Sequence, residues 1–375
     1  MQEVQSLSDL PLEIVENIIG RLRLIDRIRI RGVCKDWSVM PRKIPAIDNN
    51  YPWALTSFDW DSTYGEISGE CKLTDPPVFK EYAVEKGAVD YEFFRFARAC
   101  ASSNGWLLFE RSLPDYVLFL YCPFTREVIK LPELKNNIRA ATFSFLDATS
   151  PKCVIFTLEL HSCGENENQN TLIKICSPGD ESWKTFEFRS GFQRYSYPID
   201  AAYGNGNFYC VSSEGELGAF NVELEKWTIL TSKGLPGFDF NFVKLFVSDG
   251  NLHLIAWSPL GKAGNLKLLK FDLSEKRWVR GVNLENRVLF FGCGGTCFSC
   301  PAEGEISELA NRMLPCGGLD RIYNKVIHCC GTSSSSNSQQ FRNWAQTARH
   351  AKAWIEVPLS RLWTANDLIT AVHSR

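Results

Sequence analysis

The first 40 residues carry apolar side chains at helical spacing. Ile14, Ile18 and Leu22 recur at every fourth position, which places them on one face of a helix. Pro11 suits the start of that helix, because the amide hydrogen that proline lacks would have no partner in the first turn. A second apolar group is interrupted by Gly32, so we expect three short helices that expose apolar surface to a partner. The second group consists of Leu24, Ile25, Ile28, Val33, Cys34 and Trp37.

From about residue 100 the pattern changes to short aromatic and β-branched runs that are bounded by turn residues. Such runs occupy residues 105–109 and 116–121 and predict strands. Residues 207–211 and 251–255 each follow a turn that contains Asn-Gly or Asp-Gly. This arrangement predicts a hairpin at each place.

A longer unit ends in tryptophan and occurs at least twice. Residues 219–227 and 270–278 each contain a strand, a short polar turn and a final tryptophan. Trp183 marks an earlier copy, and residues 121–128 form a degenerate one. A period of about 45–50 residues predicts a β-propeller of about six blades. The alternative is a β-sandwich whose hairpins share turn chemistry without true repetition.

The N-terminal residues also occur in a specific order. Leu10-Pro11-x-Glu13-Ile14, Ile18-Ile19 with Leu22, and Val33-Cys34-Lys35-x-Trp37 together resemble the F-box. The resemblance implies docking on the Skp-type adaptor of a cullin–RING ubiquitin ligase, and an amphipathic helix in an apolar groove is a common recognition mode. The adaptor-binding residues that it implies are Leu10, Pro11, Ile14, Ile18, Leu22, Ile28, Val33, Cys34 and Trp37.

The remainder of the chain resembles plant F-box proteins with kelch-like propellers. The resemblance rests on residues 104–108, 122–126 and 353–356 and on the two tryptophan-ended hairpins. The expected fold is therefore α+β and multidomain, with a three-helix F-box followed by a mainly antiparallel propeller. The expected divisions are an F-box at 1–45, a linker with leading strands at 46–100, and a propeller at 101–375 with a low-complexity loop at 332–340.

Composition adds limits to this interpretation. The chain has 375 residues, 45% of them hydrophobic and 22% charged, with a net charge of −2. These values predict a globular protein and favour neither nucleic acid nor a membrane as a partner. No signal-peptide or membrane-spanning pattern occurs, and 14 cysteines in such a chain predict free thiols in the cytoplasm, the nucleus or both.

No catalytic or cofactor motif stands out. Cys293, Cys297 and Cys300, followed by Cys316 and by residues 328–330, lack the paired spacing of a zinc site, so buried free thiols are the favoured interpretation. The five histidines are scattered, and there is no phosphate-binding glycine loop. We therefore expect neither a metal nor a cofactor.

The resulting hypothesis is the substrate-recognition subunit of an SCF-type ubiquitin ligase that has no catalytic residues of its own. It would bind the Skp-type adaptor, and through it cullin and RING subunits, together with an unknown target protein. An F-box scaffold outside a ligase and a propeller-fold enzyme are the alternatives. Arg194, Tyr195 and Tyr197 belong to the inter-strand turn that is richest in anchor-type side chains, which makes them the candidate target-binding residues. The alternative is a surface loop without a binding role.

Overall fold

Six four-stranded sheets make up most of the described part of the chain. The computed structural model describes residues 11–21, 51–57, 71–84, 94, 97–111, 115–124, 127–134, 138–144, 153–161, 170–189, 191–193, 195–256, 267–281, 284–292, 296–316, 327–328, 338–351 and 353–356. Two α-helices accompany the sheets, α1 (Leu12–Arg21) and α2 (Gln339–His350), with 3₁₀ helices at Pro76–Val78 and Gly304–Leu309. Among these residues, none of the helices has both the length and the hydropathy that a bilayer crossing requires.

Each sheet is one blade, and strands are numbered in chain order. The first blade contains β1 (Trp53–Ser57), β2 (Cys71–Asp75), β3 (Lys80–Val84) and β24 (Ala353–Ile355). The second contains β4 (Ala97–Ser103), β5 (Trp106–Arg111), β6 (Val117–Cys122) and β7 (Glu127–Lys130). The third contains β8 (Ala140–Phe143), β9 (Ile155–His161), β10 (Asn170–Cys176) and β11 (Lys184–Phe188).

The other three blades also contain four strands each, and the sixth differs in its strand order. The fourth contains β12 (Pro198–Gly204), β13 (Asn207–Ser212), β14 (Leu217–Asn221) and β15 (Lys226–Thr231). The fifth contains β16 (Val243–Ser248), β17 (Asn251–Ala256), β18 (Lys267–Asp272) and β19 (Arg277–Arg280). The sixth contains β20 (Arg287–Gly292), β21 (Cys297–Pro301), β22 (Arg312–Cys316) and β23 (Ile327–His328).

The sixth blade departs from the simple meander of the second to fifth. Its β20 pairs antiparallel with β21 on one side and parallel with β22 on the other. A parallel partner requires a crossover, and the 3₁₀ helix at Gly304–Leu309 lies in that connection. As a result β21, rather than the first strand of the blade, lies at its inner edge.

The inner strands close into a ring. In order around the ring they are β24, β4, β8, β12, β16 and β21, and β21 contacts β24 again. The strand that closes the ring, β24, also belongs to the first blade. It pairs antiparallel with β1, and Trp354 lies opposite Ala54. Trp354 is fully buried, donates its indole N–H to the Leu314 carbonyl at 3.1 Å and packs on Phe290 at 5.0 Å. The last described strand is therefore an integral part of the first blade.

Asn-Gly or Asp-Gly turns connect the first and second strands of three blades, and two of these turns were predicted. Asn104-Gly105, Asn205-Gly206 and Asp249-Gly250 all have positive φ angles, between 47° and 83°. Two consecutive positive φ angles are typical of the tight turn whose twist matches that of paired strands, and Asn-Gly or Asp-Gly adopts it at little cost. The same turn thus recurs in the second, fourth and fifth blades.

The tryptophan-ended units form the outer hairpins. Trp227 and Trp278 are buried on the outermost strands β15 and β19. A Cβ atom at Gly218 would lie 2.1 Å from the Trp227 ring, so only glycine leaves room for that indole. Trp278 reaches the preceding blade, where its indole N–H donates to the Gly215 carbonyl at 2.9 Å. Both tryptophans of the repeat are therefore buried in blade packing, within the blade for Trp227 and toward the preceding blade for Trp278, and the predicted propeller is confirmed.

Two stretches differ from the sequence-based expectations. Residues 46–100 were expected to hold a linker with leading strands, but β1, β2 and β3 form three of the four strands of a blade, and β4 starts at Ala97. The low-complexity loop was expected to extend to residue 340. Ser338 instead caps α2, because its hydroxyl accepts a hydrogen bond from the Phe341 amide at 2.9 Å, and residues 339–340 are helical. Residues 332–337 lie outside the described residues.

Candidate functional site

Helix α1 presents the first candidate surface. It begins after Pro11, whose carbonyl accepts the amides of Ile14 at 3.0 Å and Val15 at 3.2 Å. Val15 is fully buried, whereas Ile14 is 49% exposed and Ile18, one turn later, is 36% exposed. Both isoleucines were predicted to bind the adaptor, and they do lie on an exposed face. The other predicted adaptor residues except Pro11 lie outside the described residues, namely Leu10, Leu22, Ile28, Val33, Cys34 and Trp37.

The ring of inner strands encloses a channel with a cavity near each end. One cavity, of about 190 Å³, lies where the inner strands begin, and we call it the front mouth. The other, of about 300 Å³, lies toward the ends of these strands, and we call it the back mouth. The front mouth is lined by Arg98, Glu110, Arg139, Asp200, Phe242 and Lys244, among others. The back mouth is lined by Ser102, Ser103, Thr142, Tyr203, Ser299 and Glu356, among others.

Glu110 is the centre of the first polar group in the front mouth. One carboxylate oxygen accepts the Nε–H of Arg98 at 2.8 Å, and the other accepts the Tyr116 hydroxyl at 2.8 Å. The Cys100 thiol also donates to Glu110 at 3.5 Å. Burial, and then the Glu110 charge, raise the pKa of Cys100 above its ordinary value, so this thiol stays protonated at neutral pH.

Asp200 and Lys244 form the second polar group, a buried ion pair between neighbouring inner strands. The lysine amine lies 2.7 Å from one carboxylate oxygen, and the Leu245 amide donates to the other at 2.7 Å. Burial raises the pKa of Asp200 even though Lys244 and the amide oppose this shift. Both oxygens of this carboxylate are therefore already occupied within the protein.

The rim of the front mouth carries exposed aromatic side chains. Tyr195 is 78% exposed, Tyr197 is 42% exposed and Phe242 is 38% exposed. Tyr197 immediately precedes β12, and its hydroxyl donates to Asn241, another residue that lines the cavity, at 2.8 Å. Two of the predicted target-binding residues, Tyr195 and Tyr197, thus lie next to the channel opening, whereas Arg194 lies outside the described residues.

The loop that carries these tyrosines is held by hydrogen bonds. The Gln193 amide donates to a Glu216 carboxylate oxygen at 2.9 Å, and the Gln193 side chain donates to the Ser232 carbonyl at 2.8 Å. The Ser213 amide donates to the Tyr197 carbonyl at 2.8 Å. A loop fixed in this way presents its aromatic side chains with little entropy left to lose on binding.

The back mouth contains a different kind of group. Glu356 follows β24, and its carboxylate accepts the Asn104 amide. Burial raises the pKa of Glu356, and the single hydrogen bond opposes the shift only in part. The Ser102 hydroxyl oxygen is buried and has no hydrogen-bond partner among the described residues.

Sequence reasoning missed most of the front mouth. Arg139, Phe242 and Lys244 were not singled out, although residues 238–242 read Phe-Asp-Phe-Asn-Phe immediately before an inner strand. That density of aromatic residues in a turn was an available signal. Of the cysteines considered as ligands, Cys297, Cys300 and Cys316 are free thiols. In the described portion of the chain, no three His, Cys, Asp or Glu side chains converge as a metal site would need.

Two family models match the chain. The F-box domain model matches residues 7–41, and the KIB1-4 beta-propeller model matches residues 79–311, which is more than half of the chain. An F-box followed by a six-bladed, mainly antiparallel propeller defines this molecule as an F-box protein. The chain belongs to the KIB1-4 beta-propeller family. The predicted fold class is therefore confirmed.

Several Arabidopsis thaliana proteins are similar to the chain. F-box protein At3g56470 is 24% identical over 360 residues, which cover 96% of this chain and 91% of that protein. F-box/kelch-repeat protein At3g18720 is 28% identical over 277 residues, or 71% of this chain and 68% of that protein. These similarities confirm the predicted resemblance to plant F-box proteins, one of which carries the kelch-repeat name.

Solved structures give a weaker comparison. A protein of unknown function from Bacteroides thetaiotaomicron shares 12% identity and covers 49% of this chain and 57% of its own, with a TM-score of 0.29. YjhT shares 12% identity over 43% of this chain and 56% of its own, with a TM-score of 0.28. Scores this low support no functional conclusion.

Proposed function

We propose that this chain is the substrate-recognition subunit of an SCF-type cullin–RING ubiquitin ligase. The F-box binds a Skp-type adaptor, which connects the chain to cullin and RING subunits, and the propeller binds a target protein at the front mouth. The observation that carries the proposal is the exposure of Ile14 and Ile18. Both residues lie within the stretch that matches the F-box model, and the chain continues as a propeller. Solvent-exposed isoleucines one turn apart favour burial against a partner groove.

In this function the chain forms and breaks no bond. It holds the target beside the ubiquitin-conjugating enzyme and so raises the effective concentration of target lysines there. The exposed Tyr195, Tyr197 and Phe242 support target binding at the front mouth, because tyrosine and other aromatic side chains are frequent binding anchors. The cytoplasm, the nucleus or both are the proposed location, and the free thiols of the described cysteines suit a reducing compartment.

The adaptor half of the proposal is tested by capture on an immobilised Skp-type adaptor. Ile14→Ala with Ile18→Ala should weaken capture at least about tenfold, since burial of each large apolar side chain contributes roughly 1.5–3 kcal/mol. Leu10→Ala with Pro11→Ala should weaken capture as well. Asn17→Ala is the matched control, because it changes an exposed polar residue of the same helix that lies outside the F-box motif. Undiminished capture by both double variants would contradict the F-box assignment.

The target half is tested by affinity capture with and without a proteasome inhibitor. A target should accumulate on inhibition and should be lost from the Arg194→Ala/Tyr195→Ala variant. Leu224→Ala is the control, because Leu224 is an exposed apolar residue in the turn between β14 and β15, away from the loop that carries Tyr195. Recovery of the same ubiquitinated protein by the loop variant and the intact chain would exclude this loop as the anchor. A partner that binds but is never ubiquitinated would instead favour a scaffold outside a ligase.

A further inference from the structure

The front mouth brings three cationic side chains to one cavity. Arg98, Arg139 and Lys244 all line it, and they come from three different inner-strand regions. Arg98 ends in a mostly exposed guanidinium, and Arg139, directly before β8, is exposed as well. Only the Lys244 amine is buried beneath them. A ligand that enters the cavity therefore meets positive charge first.

The two carboxylates of the same cavity are committed to protein partners. Glu110 accepts Arg98, Tyr116 and Cys100. Asp200 accepts Lys244 and the Leu245 amide. Arg139 makes no side-chain hydrogen bond or ion pair with any described residue, so three positive groups face two negative ones. The lining of the front mouth keeps a single net positive charge, and Arg139 carries it.

Apolar surface lies beside this charge. Ile138, Ile199 and Phe242 line the cavity, and the exposed Tyr195 and Tyr197 lie on the loop beside it. One uncompensated positive charge matches a carboxylate, which carries one negative charge, better than a phosphate ester, which carries nearly two at neutral pH. The net charge of −2 on the whole chain also gives a nucleic acid no general attraction.

We propose that the front mouth binds an acidic segment of the target protein, with an aspartate or glutamate carboxylate on Arg139 and a neighbouring apolar side chain on Phe242 and Tyr195. This inference rests on the proposed function, because it specifies the chemistry of the target that the propeller would bind. The carboxylate would select the target by charge and speed its association, while the aromatic rim would supply most of the buried area.

The test is selection of displayed random dodecapeptides on the full chain bound to its Skp-type adaptor. Peptides recovered on the intact chain should be enriched in Asp and Glu beside an aromatic or aliphatic residue. A selected peptide should bind up to about fivefold more weakly after its acidic residue is changed to the corresponding amide, the effect expected for loss of one exposed ion pair of roughly 1 kcal/mol. Its affinity should also fall as salt is added.

Variants of the chain make the test specific. Arg139→Glu should abolish the enrichment and remove the difference between the acidic peptide and its amide, whereas Arg139→Lys should retain both. Arg280→Glu is the matched control, because it reverses an exposed arginine on the outer strand β19.

Three results would overturn the inference: no acidic enrichment on the intact chain, equal enrichment on Arg139→Glu, or tighter binding of a phosphoserine peptide than of the carboxylate peptide. Tighter binding of a labelled single-stranded oligonucleotide than of the acidic peptide would overturn it as well. Each of these results leaves adaptor capture through the F-box unaffected. Undiminished adaptor capture by both F-box double variants, in contrast, would contradict the proposed function and leave the peptide result standing.

Discussion

The two ends of the propeller channel are built from the same inner strands and have opposite polar character. At the front mouth every carboxylate is matched by a cation or by a backbone amide, and Arg139 remains without a partner among the described residues. At the back mouth the Glu356 carboxylate accepts one backbone amide and has no cationic partner within the described structure. Among the described residues, one end of the channel therefore holds a cation without a partner, and the other holds a carboxyl group without a cationic partner.

The difference shows that the chemistry of each mouth is set by a few residues at strand ends. Asp200 and Lys244 are 44 residues apart, close to one blade repeat, and begin neighbouring inner strands. The ion pair therefore joins corresponding positions of two neighbouring blades. Glu356, in contrast, follows the closing strand β24, and the blade contributed by β1, β2 and β3 has no equivalent inner strand of its own. The ring closure therefore determines where the carboxyl group of Glu356 lies.

The largest effect on stability is expected at β24, the closing strand that immediately precedes Glu356. Trp354→Ala should lower the free energy of unfolding by about 3–5 kcal/mol, because it empties a fully buried site and leaves the Leu314 carbonyl without its donor. Urea denaturation followed by tryptophan fluorescence measures the change. Trp354→Phe is the control, since it keeps most of the volume and should cost clearly less. Equal stability of the wild type and Trp354→Ala would show that β24 does not close the ring.

The next effect concerns the paired charges of the front mouth. Asp200→Ala should lower the free energy of unfolding by about 3 kcal/mol, because it leaves the Lys244 amine buried without its partner. The matched variant Asp200→Leu with Lys244→Met should recover most of that loss, since it removes both charges together. Urea midpoints of the three proteins provide the measurement. A double variant as unstable as Asp200→Ala would show that the penalty comes from lost packing rather than from the unpaired charge.

A smaller effect concerns a neutral histidine near the back mouth. His253 stacks on Phe246, which lines the back cavity, at 5.2 Å. Burial, and then the nearby Lys270 charge, lower the pKa of His253 from 6.5 to about 4. The unfolded chain therefore takes up a proton below pH 6.5 that the folded chain binds only near pH 4, so the stability due to this group is lost as the pH falls through that range.

His253→Gln should abolish this dependence. Between pH 7.5 and 4.5 the wild type should lose about 2 kcal/mol more stability than the variant, an amount reduced for the partial exposure of the ring. Urea denaturation at several pH values measures both curves, and His350→Gln, which changes an exposed histidine, is the control. Parallel curves for wild type and His253→Gln would contradict the buried neutral state.

The smallest effect concerns Glu356 and has the opposite sign. Because its pKa is raised in the folded protein, the stability that the protonated acid provides is fully present below about 4.5 and is lost as the pH rises through the raised value. Glu356→Gln should therefore stabilise the protein slightly at pH 7.5, and the gain should vanish below pH 4.5. Denaturation of this variant beside Glu133→Gln, an exposed control, tests the prediction. A destabilised Glu356→Gln would mean that the carboxylate gains more from its hydrogen bond than it loses on burial.

Local patterns predicted the repeating parts of the fold well. The turns at Asn205-Gly206 and Asp249-Gly250 and the outer hairpins that end at Trp227 and Trp278 all occur as expected. These features depend on side chains within a few residues of one another. The parallel pairing of β20 with β22 was not predicted, because periodicity identifies strands but not their order within a sheet.

The candidate site was only partly predictable. Tyr195 and Tyr197 were selected for their side-chain type, and the structure places them beside the front mouth. Arg139 and Lys244 were missed, because their significance comes from convergence on one cavity between residues far apart in the chain. The sequence does not reveal whether a charged residue at the start of a strand has an ion-pair partner. Arg98 and Lys244 have one, and Arg139 has none among the described residues.

The ladder between β1 and β24 has a consequence for how the protein is made. During synthesis the ribosome releases β1, β2 and β3 long before β24. The edge of β1 that pairs with β24 therefore stays unpaired until almost the whole propeller has emerged. Open strand edges and contacts distant in sequence slow folding and favour association with other chains. A chain cut short before β24 would leave the first blade one strand short and the propeller ring open.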